Sequence, residues 1–205
     1  MQLDKIYFIT SNEKKAKTLR EQLIANNFNI KVEAINLDII EPQANSVKEV
    51  SLAKAKEAFA ILKESLVVED GGFEIEALKG FPGVYTKYIL ETIGIDGVLK
   101  LMENEKNRNC RFVSYTTFID KHGQIFQFER LGGYGLVANK RSDVFSDFAW
   151  SDFWYIFYIP RFKKVLSELS KEELFLNWDD EKEKSSLTIF IEWLKQKHDN
   201  KKSEN

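Results

Sequence analysis

An α/β fold built on a mixed sheet is expected for this 205-residue chain, on three grounds. Short β-branched and aromatic runs alternate with amphipathic stretches up to about residue 70. Two longer strand-rich runs follow a glycine-punctuated stretch, and a helix with one apolar side comes near the end. Alternating elements give parallel pairing and consecutive strands give antiparallel pairing, so one sheet has to hold both.

Taken in order, Lys5 to Thr10 (KIYFIT) reads as a strand, and Thr10-Ser11-Asn12 as the capping cluster that turns it into a helix. Ala16, Leu19, Leu23 and Ile24 form the apolar face of that helix, and Asn26-Asn27 closes it. Ile30 to Leu37 reads as the second strand. Leu52, Ala55, Phe59 and Leu62 stripe a second helix from about Ser46 to Glu64, and Leu66-Val67-Val68 begins a short third strand. Glu69-Asp70-Gly71-Gly72 and Gly80-Phe81-Pro82-Gly83 punctuate the next stretch, and two helical pieces between Val84 and Asn104 meet near Gly94. Arg111 to Asp120 and Gln124 to Val137 are strand-rich, with Lys121-His122-Gly123 as the hairpin turn between them. The chain holds 16 Phe, 7 Tyr and 4 Trp, and nine of these aromatics crowd between Phe145 and Phe162. A helix from Glu181 to Lys197 carries Leu187, Phe190, Ile191 and Leu194 on one side. A single domain is expected over residues 1–198, with a disordered tail at 199–205.

Composition removes several function classes. With 30 Lys+Arg against 32 Asp+Glu the net charge is −2, which offers no broad attraction for a nucleic acid polymer or an anionic membrane. No run approaches 18 apolar residues and no leader pattern opens the chain, so a cytoplasmic protein is expected. Cys110 has no partner for an internal disulfide. His122 and His198 lie far apart in the chain, so the usual nitrogen and sulfur ligands of a zinc site are missing. A metal here is expected to be a hard ion held by oxygens, such as Mg2+.

Three clusters carry chemistry. At Thr10 to Lys15 a strand becomes a helix, where backbone N–H groups and the helix dipole favour an anion and Asn12 and Lys15 add donors; the ordinary alternative is a plain helix cap. Glu69 and Asp70 follow an apolar strand and precede two glycines. As adjacent strand residues they face opposite ways and suit different tasks, or else they form an acidic turn. Lys54 sits beside Ala55 on an apolar stripe, placed either to reach the sheet or to snorkel to solvent.

Together these residues resemble the inosine triphosphate pyrophosphatase family, which hydrolyses non-canonical purine nucleoside triphosphates. Thr10-Ser11-Asn12-Glu13-Lys14-Lys15 is similar to its T-G-N-x-x-K opening. Ser51-Leu52-Ala53-Lys54-Ala55 resembles its lysine-bearing helix, and Val68-Glu69-Asp70-Gly71-Gly72-Phe73 its acidic strand. Ala77 to Tyr88 follows its A-L-x-G-x-P-G-x-Y segment. The resemblance implies a long mixed sheet with flanking helices, two lobes around a central cleft, and a homodimer. It implies Mg2+-dependent attack of water on a nucleoside triphosphate, giving a monophosphate and pyrophosphate. Asp70 and Lys54 would then be catalytic; Ser11, Asn12, Lys15 and Lys87 would bind substrate; Glu41, Glu69 and Asp70 would serve the metal.

The C-terminal part departs from that pattern. The base-packing aromatic segment aligns best with Phe148 and Trp150, and an alternative register places Phe153-Trp154-Tyr155 there. Leu174 stands where the family has a functional lysine, and Trp178-Asp179-Asp180 where it has Ser-His-Arg. Two readings follow. In one, the base preference moves away from inosine and xanthosine triphosphates, with Asp179 or Asp180 accepting from an amine or ring N–H. In the other, the chain is a weakly catalytic nucleotide-binding relative, a sensor or dimerisation partner. The aromatic block has its own ordinary reading, as core or interface.

Overall fold

The computed structural model describes residues 3–40, 42–130, 133–178 and 184–203. In chain order these form β1 (Lys5–Ile9), α1 (Glu13–Ala25), β2 (Lys31–Ile35), α2 (Val47–Leu62) and β3 (Leu66–Ile75). Then come β4 (Pro82–Gly83), α3 (Thr86–Thr92), α4 (Gly94–Leu101), β5 (Asn109–Ile119), β6 (Ile125–Glu129) and β7 (Tyr134–Val137). The last elements are β8 (Phe157–Ile159), β9 (Lys164–Val165), α5 (Lys171–Trp178) and α6 (Ser186–Ser203). The strands form a mixed sheet in the order β2-β1-β3-β5-β7-β8-β9, with β4 on β3 and β6 on β5. The expected α/β class with a large mixed sheet is the observed one.

Two compact units share the chain. The first takes the described parts of Met1–Asp70, Ser114–Arg130 and Ser185–Asn205. Here β1 runs parallel to β2 (Ile6↔Val32) and to β3 (Phe8↔Val67). Strand alternation sorts its core into two layers. Ile6, Phe8, Val67 and Phe118 face Ala16, Leu19 and Leu23 of α1 and Phe190 and Leu194 of α6. Ile9, Val68 and Ile119 face Ala55 and Ala58 of α2. Both helix starts are capped as their sequences suggest: Asn12 accepts from the amides of Lys14 and Lys15, and Ser46 from that of Glu49.

The second unit takes the described parts of Gly71–Val113 and Leu131–Lys184. Its centre is aromatic. Phe73 stacks on Phe153 with centroids 4.2 Å apart and meets Phe112 edge-on at 5.0 Å, with Trp154, Phe157, Val98 and Met102 around them. The two helical pieces expected near Gly94 are α3 and α4.

Three elements differ from expectation. The third strand does not stop at Val68: β3 continues through Gly71-Gly72 to Ile75, where β4 pairs with it at Phe73↔Gly83. Non-local pairing overrides the local tendency of the two glycines to break a strand. The run Gln124 to Val137 splits into β6 and β7, because β5 is long enough to pair its C-terminal half with β6 and its N-terminal half with β7. Gly133, at φ +85°, turns the chain just before β7. Finally, α6 extends to Ser203, into the segment expected as a tail.

Candidate functional site

The first unit holds a compact set of charges at the centre of β3. Glu69 shares the parity of Val67 and so leaves the sheet on the α1 side; Asp70 shares that of Val68 and leaves it on the α2 side. Each meets one lysine. Lys15 of α1 places Nζ 3.6 Å from Glu69 Oε2 and donates to the Glu69 carbonyl at 3.3 Å. Lys54 of α2 places Nζ 3.0 Å from Asp70 Oδ2. The Lys54 and Asp70 side chains are only 19% and 22% exposed, so this is a partly desolvated ion pair and not a snorkelling surface lysine. Asp70 Oδ2 is also buried and accepts no hydrogen bond, leaving the ammonium as its one close charge partner among the described residues.

The start of α1 works differently from the simple anion-site expectation. Asn12 Oδ1 accepts from the amides of Lys14 at 3.0 Å and Lys15 at 3.4 Å, and the Asn12 amide donates to Thr10 Oγ1 at 3.0 Å. These donors are therefore turned inward on the cap. An anion here gains the helix dipole and, once the cap opens, the amides. Ser11 and Asn12 are exposed at this corner.

Glu69 and Asp70 supply two hard oxygen donors, one of them lacking a hydrogen bond. Among the described residues no three His, Cys, Asp or Glu side chains cluster as a metal cage. Because Glu69 and Asp70 stand on opposite faces of the sheet, a hard ion such as Mg2+, which takes one or two carboxylates and completes its shell with phosphate oxygens and water, would meet one of them on each face and not both together. Glu41, the third expected ligand, lies outside the described residues, as do Asp179 and Asp180.

Three expected substrate contacts belong to the second unit. Lys87 lies in the first turn of α3, whose opening residue Thr86 accepts from the Phe73 amide at 2.8 Å and donates to the Gly83 carbonyl. Its side chain is 89% exposed, with Glu91 3.9 Å away. The aromatic block divides in two. Phe153 and Trp154 are buried, whereas Phe148 is 46% and Trp150 61% exposed, with Trp150 tilted on Phe112 at 4.9 Å. The packing keeps Phe153 and Trp154 in the core and leaves Phe145, Phe148 and Trp150 of the same block exposed. Leu174, at the position compared with the family's lysine, is 1% exposed and packs in this unit's core.

Ser51 falls outside the apolar stripe of Leu52, Ala55, Phe59 and Leu62. It is fully buried on the otherwise apolar face of α2, and Oγ lies 2.8 Å from Thr117 Oγ1 on β5. The one signal in the sequence is a hydroxyl among Val47, Val50, Ala55 and Ala58, which make that face.

The model of the Ham1 family matches residues 6–174. The chain is 36% identical over 169 residues to a dITP/XTP pyrophosphatase of Saccharolobus solfataricus, covering 82% of this chain and 84% of that protein. It is 34% identical over 199 residues to a dITP/XTP pyrophosphatase of Pyrococcus horikoshii, covering 93% and 97%. In fold it is similar to the Ham1 protein of Staphylococcus aureus, with a TM-score of 0.76 at 19% identity over 94% of this chain and 99% of that one. A HAM1 protein from Coxiella burnetii gives a TM-score of 0.75 at 19% identity over 95% and 100%.

Proposed function

Because this chain belongs to the Ham1 family, we infer that it is a nucleoside triphosphate pyrophosphatase, with the chemistry resting on Asp70 and Lys54. Water attacks the α-phosphorus, the bond from that phosphorus to the oxygen bridging to the β-phosphorus breaks, and a nucleoside monophosphate and pyrophosphate result. The observation that carries the assignment is the Lys54–Asp70 pair, in which a buried carboxylate oxygen without a hydrogen bond is held 3.0 Å from an ammonium. Asp70 Oδ2 is the acceptor for the proton of the attacking water. Lys54 orients that carboxylate and offers its charge to a phosphate oxygen as negative charge builds.

Lys15, with Ser11 and Asn12 beside it at the start of α1, binds phosphate oxygens in this reading. Mg2+ would be held by carboxylates from the set Glu41, Glu69 and Asp70, and when bound would neutralise phosphate charge and make the phosphorus more electrophilic. Lys87 contributes a further cation, and Phe148 and Trp150 offer faces for base stacking. The enzyme works on free nucleotide as a cytoplasmic homodimer; the net charge of −2 speaks against nucleic acid or an anionic membrane surface as its partner, and no helix among the described residues is long and apolar enough to cross a membrane.

The base preference moves away from inosine and xanthosine triphosphates. In support, the family match ends at Leu174, a core residue where the lysine is absent, and Asp179 and Asp180 follow. The test is a panel of canonical and modified ribo- and deoxyribonucleoside triphosphates with Mg2+, scored for pyrophosphate against orthophosphate. Pyrophosphate release from at least one triphosphate is expected, with inosine triphosphate a poor substrate. Orthophosphate as the first product contradicts the reaction, and efficient inosine triphosphate turnover contradicts the altered preference.

A further inference from the structure

We propose that Ser51 is a positioning residue for Lys54, acting through a buried hydrogen-bond relay that ties α2 to the sheet; this rests on the functional reading given above. The buried face of α2 consists of Val47, Val50, Ala55 and Ala58 with the hydroxyl of Ser51 among them, and Phe59 and Leu62 pack beside it; the apolar contacts are non-directional. Ser51 adds the directional contact that they lack. Its Oγ is 2.8 Å from Thr117 Oγ1 and donates to the Tyr115 carbonyl at 3.3 Å, both on β5. From β6, Gln127 Nε2 donates to Thr117 Oγ1 at 3.1 Å and to the Lys48 carbonyl of α2 at 3.3 Å.

One assignment uses each hydroxyl proton once: Gln127 donates to Thr117, Thr117 to Ser51, and Ser51 to the Tyr115 carbonyl. The relay thus begins at an amide that also grips the first turn of α2 and ends at a strand carbonyl. It pins α2 at two successive turns, through Lys48 and Ser51. Lys54 comes one turn later, three residues on from Ser51 and on the same side of the helix. β5 neighbours β3, the strand that bears Asp70. The relay therefore sets where the Lys54 ammonium stands along β3, and with it the 3.0 Å approach to Asp70 Oδ2. In reactions that depend on position, a shift of about 1 Å costs on the order of 100-fold in rate.

The test is kcat and KM for pyrophosphate release by Ser51→Ala, Thr117→Val and Lys54→Ala, and by each of the first two combined with Lys54→Ala, with Tm measured alongside. Ser51→Ala and Thr117→Val are expected to lower kcat about tenfold, to leave KM within about twofold, and to lose nothing further once Lys54 is Ala. An equal fold-loss with and without Lys54 marks a general packing effect and overturns the proposal, as does an unchanged kcat. If Ser51→Ala does not fold, Gln127→Ala at the half-buried end of the relay carries the same comparison, with about a threefold loss expected and the same two contrary outcomes. A wild-type protein that releases no pyrophosphate from any nucleoside triphosphate refutes the functional reading and this role with it. Wild-type turnover with an indifferent relay refutes the positioning role alone.

Discussion

Truncating Trp150 and Phe153 in turn separates base platform from core within one short segment. Phe153 is fully buried and stacks on Phe73 at 4.2 Å, so Phe153→Ala removes a whole core ring and a stacked pair. A buried Phe→Ala change costs about 3–5 kcal/mol. At about 2–4 °C per kcal/mol for a chain of this size, Tm falls by about 6–20 °C. Trp150 is 61% exposed, and its packing is a tilted contact with Phe112 and an edge contact with Trp154, so Trp150→Ala costs about 1 kcal/mol and shifts Tm by less than about 4 °C. Its effect falls on the nucleotide: stacking is worth about 1–3 kcal/mol per base, so KM rises about tenfold with kcat little changed. Thermal melts and steady-state pyrophosphate release on both variants read out the difference. A stable Phe153→Ala with a melted Trp150→Ala refutes the packing argument, and unchanged KM in both Trp150→Ala and Phe148→Ala refutes the stacking role.

Lys54→Ala removes the ammonium facing Asp70 and is expected to lower kcat about 100-fold and to lower Tm as well, because a mostly buried carboxylate loses its partner; an equal change in KM instead of kcat places Lys54 in ground-state binding alone. Gly135→Ala puts a Cβ 2.6 Å from the Phe157 ring and 2.8 Å from the Tyr158 carbonyl, so about 1–3 kcal/mol of stability is lost in a melt, and an unchanged Tm contradicts the tight β7–β8 packing. Burial pushes the Cys110 thiol up from its ordinary value of 9.0, so the thiol stays protonated in the fold where the unfolded chain ionises. Its contribution is full below that value and is lost as pH rises past it, by up to about 1.4 kcal/mol per pH unit. Wild type then loses stability faster than Cys110→Ala above that pH, and parallel pH–stability curves for the two contradict this.

What could be read from the sequence was local. Asn12 and Ser46 announce helix starts because a cap is satisfied within three residues. The divergent facing of Glu69 and Asp70 follows from the two-residue period of a strand, and the structure adds the lysine that each one meets. What could not be read depended on partners distant in the chain. Gly71-Gly72 looks like a turn until β4 pairs across the strand, and Phe153 looks like its exposed neighbours until Phe73 closes over it. The Ser51 relay joins α2 to β5 and β6, so a single serine gave too weak a signal. The motif at the start of α1 was legible, whereas the inward turn of its amides onto Asn12 is a matter of rotamer.

Hydrolysis in water enriched with oxygen-18, using the best substrate of the nucleotide panel, tests the central claim most directly. Attack at the α-phosphorus puts the label in the nucleoside monophosphate and leaves the pyrophosphate unlabelled, and Asp70→Asn is expected to abolish the labelled product while the protein stays folded. Label in pyrophosphate or orthophosphate, or undiminished labelling of the monophosphate by Asp70→Asn, contradicts the account.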